Sequence, residues 1–275
     1  MDTTLNWPEL LRRPGDHDHL VQLYSDTDFL VESVARYIGA GLARGEAAII
    51  IARPEHRELF IRALARDGLH PSAALRFLDA ETTLASFLVD GRPEWTAFHR
   101  VAGGAIAELR LQYPAVRAYG EMVDILWQRG QKQAALRLEE FWNELGGLQT
   151  FSLLCAYGID PLEAASYGGG ALQAVCKCHT HLIPARDYGR FNDAVSDATR
   201  EILEQPLAQM LLSLAASHRL QTEMPLGQAA LIWLKHNMPR TADRVLEEVR
   251  LRLQPPIADL AAGAVRTVAP PGLNS

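Results

Sequence analysis

Short apolar segments alternate with longer amphipathic segments through the first 157 residues, and this alternation constrains the fold more than any other feature. Residues 46–53 are almost continuously apolar, which is typical of a strand buried on both faces of a parallel sheet. Strands are predicted at residues 19–25, 46–53, 75–79, 116–122 and 150–157, with helices between them. The order predicts an α/β domain with a mainly parallel sheet flanked by helices.

Ligands of such sheets bind beyond the carboxyl ends of the strands. The candidate ligand-binding residues therefore lie at the ends of the predicted strands or directly after them: Tyr24, Asp26, Arg53, Glu121 and Tyr157. Glu121 could orient a ligand or act as a base. The alternative is a helix cap or a buried structural carboxylate.

The first strand-to-helix turn, residues 24–28, differs from a phosphate-binding loop. It contains neither glycine nor lysine, and its two aspartates would repel phosphate. This turn argues against ordinary ATP binding, and Asp26 is expected simply to cap the following helix.

Thiols and imidazoles concentrate near residue 180, which is the chemistry that zinc prefers. The possible metal ligands are Cys155, Cys176, Cys178, His179 and His181. The segment 172–181 is predicted to be a helix stopped by Pro184, so that only one pair from it could join Cys155. The alternative is a buried cysteine with histidines packed nearby. Of Glu139 and Glu140, one is expected to face solvent, and a catalytic pair is not expected.

No strand is predicted between residues 188 and 253, where three apolar stripes favour a helical hairpin or a half-bundle completed by a second copy. The sequence therefore predicts a flexible leader (1–18), an α/β domain (19–186), a helical dimerisation or output segment (187–254) and a flexible tail (255–275).

Composition and the absence of known motifs disfavour several classes of function. The formal net charge is −6, and no basic run appears, which disfavours direct nucleic-acid binding. Three cysteines argue for a reducing compartment, and neither a signal peptide nor a membrane span is expected, so the cytoplasm is the expected location. No Gly-x-Ser-x-Gly, Cys-x-x-Cys or His-Glu-x-x-His motif occurs.

Residues 19–185 resemble the MEDS family, the sensory domain named for methanogens, methylotrophs and DcmR. The resemblance is carried by segments 19–24, 41–46, 52–56, 120–127, 138–143, 151–157 and 176–184. It implies a RecA/KaiC-type fold without a phosphate-binding loop. It also implies sensing of a small molecule or cellular signal, coupled to transcription or phosphorelay.

A second resemblance is to the dimerisation and phosphoacceptor hairpin of HWE-type histidine kinases. Residues 217–223 and 246–253 carry it, and His218 matches the acceptor. Thr222 and Glu223 stand where that motif usually has asparagine, and Pro225 interrupts the helix. No ATP-binding catalytic domain is expected after Leu253, so a partner would have to exchange the phosphoryl group.

These observations favour a homodimeric sensor that reports to a histidine kinase, a response regulator or a transcription factor. The first alternative is a metal- or nucleotide-dependent enzyme that uses Glu121 and zinc at the Cys/His residues. The second is a DNA-binding regulator in its own right.

Overall fold

The computed structural model describes residues 7–183, 185–218 and 224–253. Its strands in chain order are β1 (His19–Leu23), β2 (Ala47–Ala52), β3 (Leu75–Asp79), β4 (Leu88–Val89), β5 (Arg92–Pro93), β6 (Val116–Gly120), β7 (Ser152–Tyr157) and β8 (His181–Ile183). Six of them form one sheet in the order β3-β2-β6-β7-β1-β8, and every pair is parallel. The expected parallel α/β architecture is therefore confirmed.

Helices cover both faces of this sheet. They are α1 (Trp7–Arg12), α2 (Thr27–Leu42), α3 (Pro54–Arg66), α4 (Ala80–Ala85), α5 (Trp95–Phe98), α6 (Gly104–Arg110), α7 (Met122–Gln128), α8 (Lys132–Leu148) and α9 (Ala171–Lys177). One face packs against α1–α3 and the other against α4–α9. Within the part of the chain that is described, no helix has the length and apolarity needed to cross a bilayer.

The first turn behaves as a helix cap. The side chain of Asp26 accepts a hydrogen bond from the backbone N–H of Asp28 at the start of α2. This contact satisfies one of the amide groups that a helix leaves free at its N-terminus.

Three local expectations differ from the structure. Residues Trp7–Arg12 of the expected leader form a helix, and its Trp7 and Leu11 are buried. The sequence predicts a helix over residues 131–145 that ends at Gly146 and Gly147, whereas helix α8 continues through both glycines to Leu148. The expected helix 172–181 ends at Lys177, because His181 pairs with β1 and begins an edge strand. In each case tertiary packing outweighs local helix or turn preference.

Four helices, rather than a hairpin, follow the sheet: α10 (Tyr188–Ile202), α11 (Gln205–His218), α12 (Leu226–Asn237) and α13 (Pro239–Leu253). Helix α10 contacts α12 and α13, and α11 contacts α12. We call these helices the four-helix unit. Most residues of its apolar stripes are buried within one chain and join the core of the α/β domain, so their burial requires no second copy, whereas Leu214 of α11 stays exposed.

A buried arginine fixes the amino edge of the sheet. The Nε of Arg117 donates to Glu46 at 2.6 Å, and its other nitrogens donate to the backbone oxygens of Leu11, Arg12 and Tyr37. Since two of these acceptors end α1, the guanidinium holds α1 against the sheet. An unpaired buried charge here would be costly, so the site depends on its full set of acceptors.

Gly41 lies against this guanidinium, and a Cβ there would approach the Nε of Arg117 to 2.5 Å. We therefore expect Gly41→Ala to destabilise the protein by roughly 2–3 kcal/mol in urea unfolding, because the arginine must move. Gly146→Ala is the matched control, since its Cβ would meet nothing within 4 Å. It should be neutral or slightly stabilising. Equal effects of the two substitutions would contradict this role for Gly41.

Candidate functional site

Glu121 is the centre of a charged network at the carboxyl edge of the sheet, immediately after β6. Its buried carboxylate accepts hydrogen bonds from the backbone N–H of Arg53 at 3.1 Å and from the Arg53 guanidinium at 3.4 Å. It also accepts from Nδ1 of His56 at 2.8 Å and from the Tyr119 hydroxyl at 3.0 Å. Both oxygens of Glu121 are thus occupied, which favours the structural alternative over a free general base.

Asp124, in the first turn of α7, extends this network. It accepts from the Arg53 guanidinium at 2.7 Å, from Gln128 at 3.0 Å and from the backbone N–H of Gly158 at 2.9 Å. Burial alone would lower the pKa of Arg53, but the hydrogen bond and charge of Asp124 raise it above its usual value. Arg53 therefore stays charged and bridges the two carboxylates.

Of the five candidate ligand-binding residues, the structure brings Tyr24, Arg53 and Glu121 together. Burial and the charge of Asp124 raise the pKa of Tyr24, so its hydroxyl stays neutral. Asp26 instead caps α2, and the Tyr157 hydroxyl points to Glu139, to which it donates at 2.6 Å.

Sequence reasoning missed His56 and Asp124, because each lies one turn inside the helix that follows a strand. The available signal was their position within a few residues of Arg53 and Glu121.

A second group of polar side chains lies in the interior, on the opposite face of the sheet from Tyr119. It consists of His19 in β1, Glu139 in α8, Cys155 in β7 and His179 after α9, all buried. We call it the buried cluster. One donor atom from each residue lies within 4.8 Å of the others.

The two histidine–carboxylate contacts inside the buried cluster are longer than good hydrogen bonds, whereas the two contacts of the Cys155 sulfur have ordinary lengths for sulfur. Nε2 of His19 lies 3.3 Å from Glu139 and 3.4 Å from the sulfur of Cys155. Nε2 of His179 lies 3.4 Å from the other Glu139 oxygen, and the Cys155 sulfur lies 3.5 Å from Glu139.

The outer nitrogens of both imidazoles are fixed by acceptors. Nδ1 of His179 lies 2.7 Å from the carbonyl oxygen of Val175, which can only accept. Nδ1 of His19 lies 2.9 Å from the side-chain oxygen of Asn143, whose amide nitrogen donates to the Cys178 carbonyl at 2.9 Å. Each Nδ1 therefore carries a hydrogen, and the Nε2 of each ring, which has a free lone pair when the ring is neutral, faces the cluster.

Burial controls the protonation of this cluster. Burial would raise the pKa of Glu139, but the charges and hydrogen bonds of His179 and His19 lower it below its ordinary value. Burial, aided by His179, lowers the pKa of His19, and burial together with Glu139 raises the pKa of the Cys155 thiol. The protein alone thus holds a charged carboxylate beside a neutral imidazole and a neutral thiol.

The five possible metal ligands separate into two groups. Cys155 and His179 meet in the buried cluster, whereas among the described residues Cys176, Cys178 and His181 contribute no donor atom to it. The expectation that those three could serve as ligands is therefore wrong for this cluster, because α9 ends before Cys178 and His181 is carried into β8, beside Asp18.

His19 and Glu139 were not foreseen as partners, since they come from elements 120 residues apart. Glu139 does lie one helical turn from Ala135 and Trp142 on the apolar side of α8, and a lone carboxylate there was the available signal.

The two sites lie on opposite faces of the sheet. Tyr119, which donates to Glu121, belongs to the core on one face of the sheet, and Cys155 belongs to the core on the other. The enzyme alternative that combines Glu121 with the Cys/His residues is therefore not supported by the geometry. His218 is the last residue of α11. Its side chain and residues 219–223 lie outside the described residues, so its role as phosphoacceptor stays a prediction.

The hydrogen bond that His56 donates to Glu121 raises the pKa of the imidazole above its ordinary value of 6.5. We expect Glu121→Gln to lower that pKa, measured by NMR titration of the imidazole. A raised folded-state pKa contributes stability below about pH 6.5 that is lost as pH rises through the folded-state value, and this contribution should disappear in the variant. Glu58→Gln, an exposed change on the same helix, is the control. An unshifted His56 pKa in Glu121→Gln would refute the assignment.

Both sites lie in a part of the chain that matches a known protein family. The family model described as MEDS, MEthanogen/methylotroph, DcmR Sensory domain, matches residues 18–180, more than half of the chain. No curated protein and no solved structure matches. The match covers both the carboxyl-edge network and the buried cluster, and the chain belongs to the MEDS sensory-domain family.

Proposed function

We propose that this protein is a signal-sensing regulator in which the α/β domain receives the signal and the four-helix unit reports it. The observation that carries the proposal is a single stretch of chain, residues 158–180, which we call the linking segment. It leaves β7 at the carboxyl-edge network, contacts α12 and α13 of the four-helix unit and ends at the buried cluster before β8.

The linking segment is anchored at its start by the charged network. The backbone N–H of Gly158 donates to Asp124 at 2.9 Å, and its carbonyl oxygen accepts from Gln128 at 2.9 Å. Asp124 also holds Arg53, so any ligand that replaces Asp124 on the guanidinium would release the start of the segment.

The middle of the linking segment is joined to the four-helix unit through Tyr167. Its buried hydroxyl donates to the carbonyl oxygen of Pro161 at 2.6 Å and accepts from Gln228 of α12 at 3.0 Å. A cavity of about 410 Å³ adjoins this contact, with Leu172 on the segment side and Lys235 on the α12 side. A shift of the linking segment would therefore move or break its hydrogen bond to α12.

A signal shifts such a system only through its different affinity for two arrangements. We propose that these arrangements differ in how the linking segment docks on α12. The output is a change in the surface that the four-helix unit offers to a kinase, a response regulator or a transcription factor. His218 at the end of α11 is the proposed phosphoacceptor if the partner belongs to a phosphorelay.

The relay predicts a distant effect of a local change. Asp124→Ala removes the acceptor of Gly158 and should increase amide hydrogen exchange several-fold in the linking segment and in α12. Asp79→Ala is the matched control, because Asp79 lies at the same sheet edge but caps α4 through Thr82. Its effect should stay in α4. Hydrogen exchange with mass spectrometry on the full chain measures both.

Tyr167→Phe sharpens this test, since it keeps the ring but removes the hydroxyl that joins Pro161 to Gln228. In the Asp124→Ala, Tyr167→Phe double variant, the change in α12 exchange should be smaller than in Asp124→Ala alone. Exchange changes confined to α7 and residues beside Asp124 would exclude the relay.

The homodimer expected from the sequence remains part of the proposal. Since the stripes of the four-helix unit are buried within one chain, a dimer would use exposed apolar residues such as Met210 and Leu214 of α11. Native mass spectrometry of the full chain should give a dimer that Met210→Glu weakens, and a monomeric wild type would remove dimerisation from the account.

A further inference from the structure

We infer that His19, Glu139, Cys155 and His179 form a binding site for one zinc-class metal ion. Two nitrogens, one sulfur and one oxygen are the donor types that such an ion takes. This inference does not depend on the proposed relay, and it concerns residues on the opposite face of the sheet from Glu121.

The spacing of three donor atoms matches one face of a tetrahedral site. Metal–ligand distances of about 2.0–2.3 Å place the corners of a tetrahedron roughly 3.3–3.6 Å apart. Nε2 of His19, the sulfur of Cys155 and one oxygen of Glu139 lie 3.3, 3.4 and 3.5 Å apart. Nε2 of His179 lies 3.4 Å from the other Glu139 oxygen, and one donor atom from each of the four residues lies within 4.8 Å of the others. A hydrogen bond from an imidazole nitrogen to the carboxylate would be shorter, at about 2.7–3.2 Å.

The hydrogen bonds on the outer side of the two imidazoles match those that usually surround metal-bound histidines. A metal-bound histidine usually donates its other ring N–H to a carbonyl or carboxylate, which fixes the ring. The Val175 carbonyl serves this role for His179, and the Asn143 side chain serves it for His19. The buried Nε2 of His179 then has no hydrogen-bond partner.

The charges also balance. Binding transfers the Cys155 thiol proton to solvent, which leaves a thiolate beside the Glu139 carboxylate. Two negative charges and two neutral imidazoles then surround a divalent cation, and the buried site becomes neutral. The rival arrangement is an imidazolium paired with Glu139. In it, Nε2 of His179 would carry a hydrogen aimed at a carboxylate 3.4 Å away, beyond the usual range.

A cavity reaches His19, one of the four proposed ligands. This cavity, of about 390 Å³, opens at the amino edge of the sheet, and His19 and Asn143 line it together with His17 and Asp18. The bound ion would tie β1, β7 and α8 to the end of the linking segment.

The test uses the reduced full-length protein after chelator treatment and dialysis. Titration with Co²⁺ should saturate at one equivalent and give tetrahedral d–d bands with a thiolate charge-transfer band. Cys155→Ser should remove the charge-transfer band. Cys178→Ser is the matched control, because Cys178 lies one residue from His179 but outside the cluster, and it should keep the full spectrum.

Zinc provides a second readout. It should raise the thermal unfolding midpoint of the wild type. Competition with a chromophoric chelator should give an affinity that falls more than about 100-fold in Glu139→Gln and about 10–100-fold in Asn143→Ala. Asn143→Ala leaves all four donors in place, so it keeps the test informative if a ligand variant fails to fold.

Folded wild-type protein that binds neither ion would overturn the assignment. So would a charge-transfer band that survives Cys155→Ser and disappears in Cys178→Ser. If NMR shows that both ring nitrogens of His179 carry hydrogens at neutral pH in the presence of zinc, the imidazolium–carboxylate ion pair with Glu139 is established instead. None of these results bears on the hydrogen-exchange test of the relay, so the two proposals fail separately.

Discussion

The Glu139 carboxylate is fully buried between α8 and the sheet. Its negative charge must be balanced there by hydrogen-bond donors or by a cation. An unpaired buried charge costs several kcal/mol, so the elements that supply its partners are held in fixed positions. Those partners come from the start of β1, from the end of β7 through Cys155 and the Tyr157 hydroxyl, and from the turn after α9 through His179. The placement of α8 against the sheet and the pairing of β8 with β1 are consistent with that convergence.

At the carboxyl edge of the sheet, buried carboxylates are balanced by protein side chains alone. There Glu121 and Asp124 share Arg53, and His56 adds a further donor, so the network closes on itself without another cation. The linking segment begins at this network and ends at the buried cluster, with the Tyr167 contact to α12 between them. Both polar sites of the domain therefore contact one stretch of chain, which is the physical basis of the proposed relay.

Much of the fold follows from local sequence. The apolar run at 46–53 predicts β2, and Asp26 predicts the start of α2, because burial and capping are properties of short segments. Strand β8 was not predicted, because its three residues are stabilised by pairing with β1, which is distant in the chain. The thiol of Cys155 and the imidazole of His179 could be chosen by residue type, but His19 and Glu139 could not, because only the tertiary fold brings them together. The half-bundle was predicted from stripes without the contacts that close them within one chain.

Anomalous diffraction at the zinc absorption edge, from crystals of the full-length protein grown with zinc, tests the interpretation of the buried cluster most directly. We expect one strong peak about 2.0–2.3 Å from Nε2 of His19, Nε2 of His179, the sulfur of Cys155 and a carboxylate oxygen of Glu139. A map without a peak there, with the His179 ring at hydrogen-bonding distance from Glu139, would contradict the account.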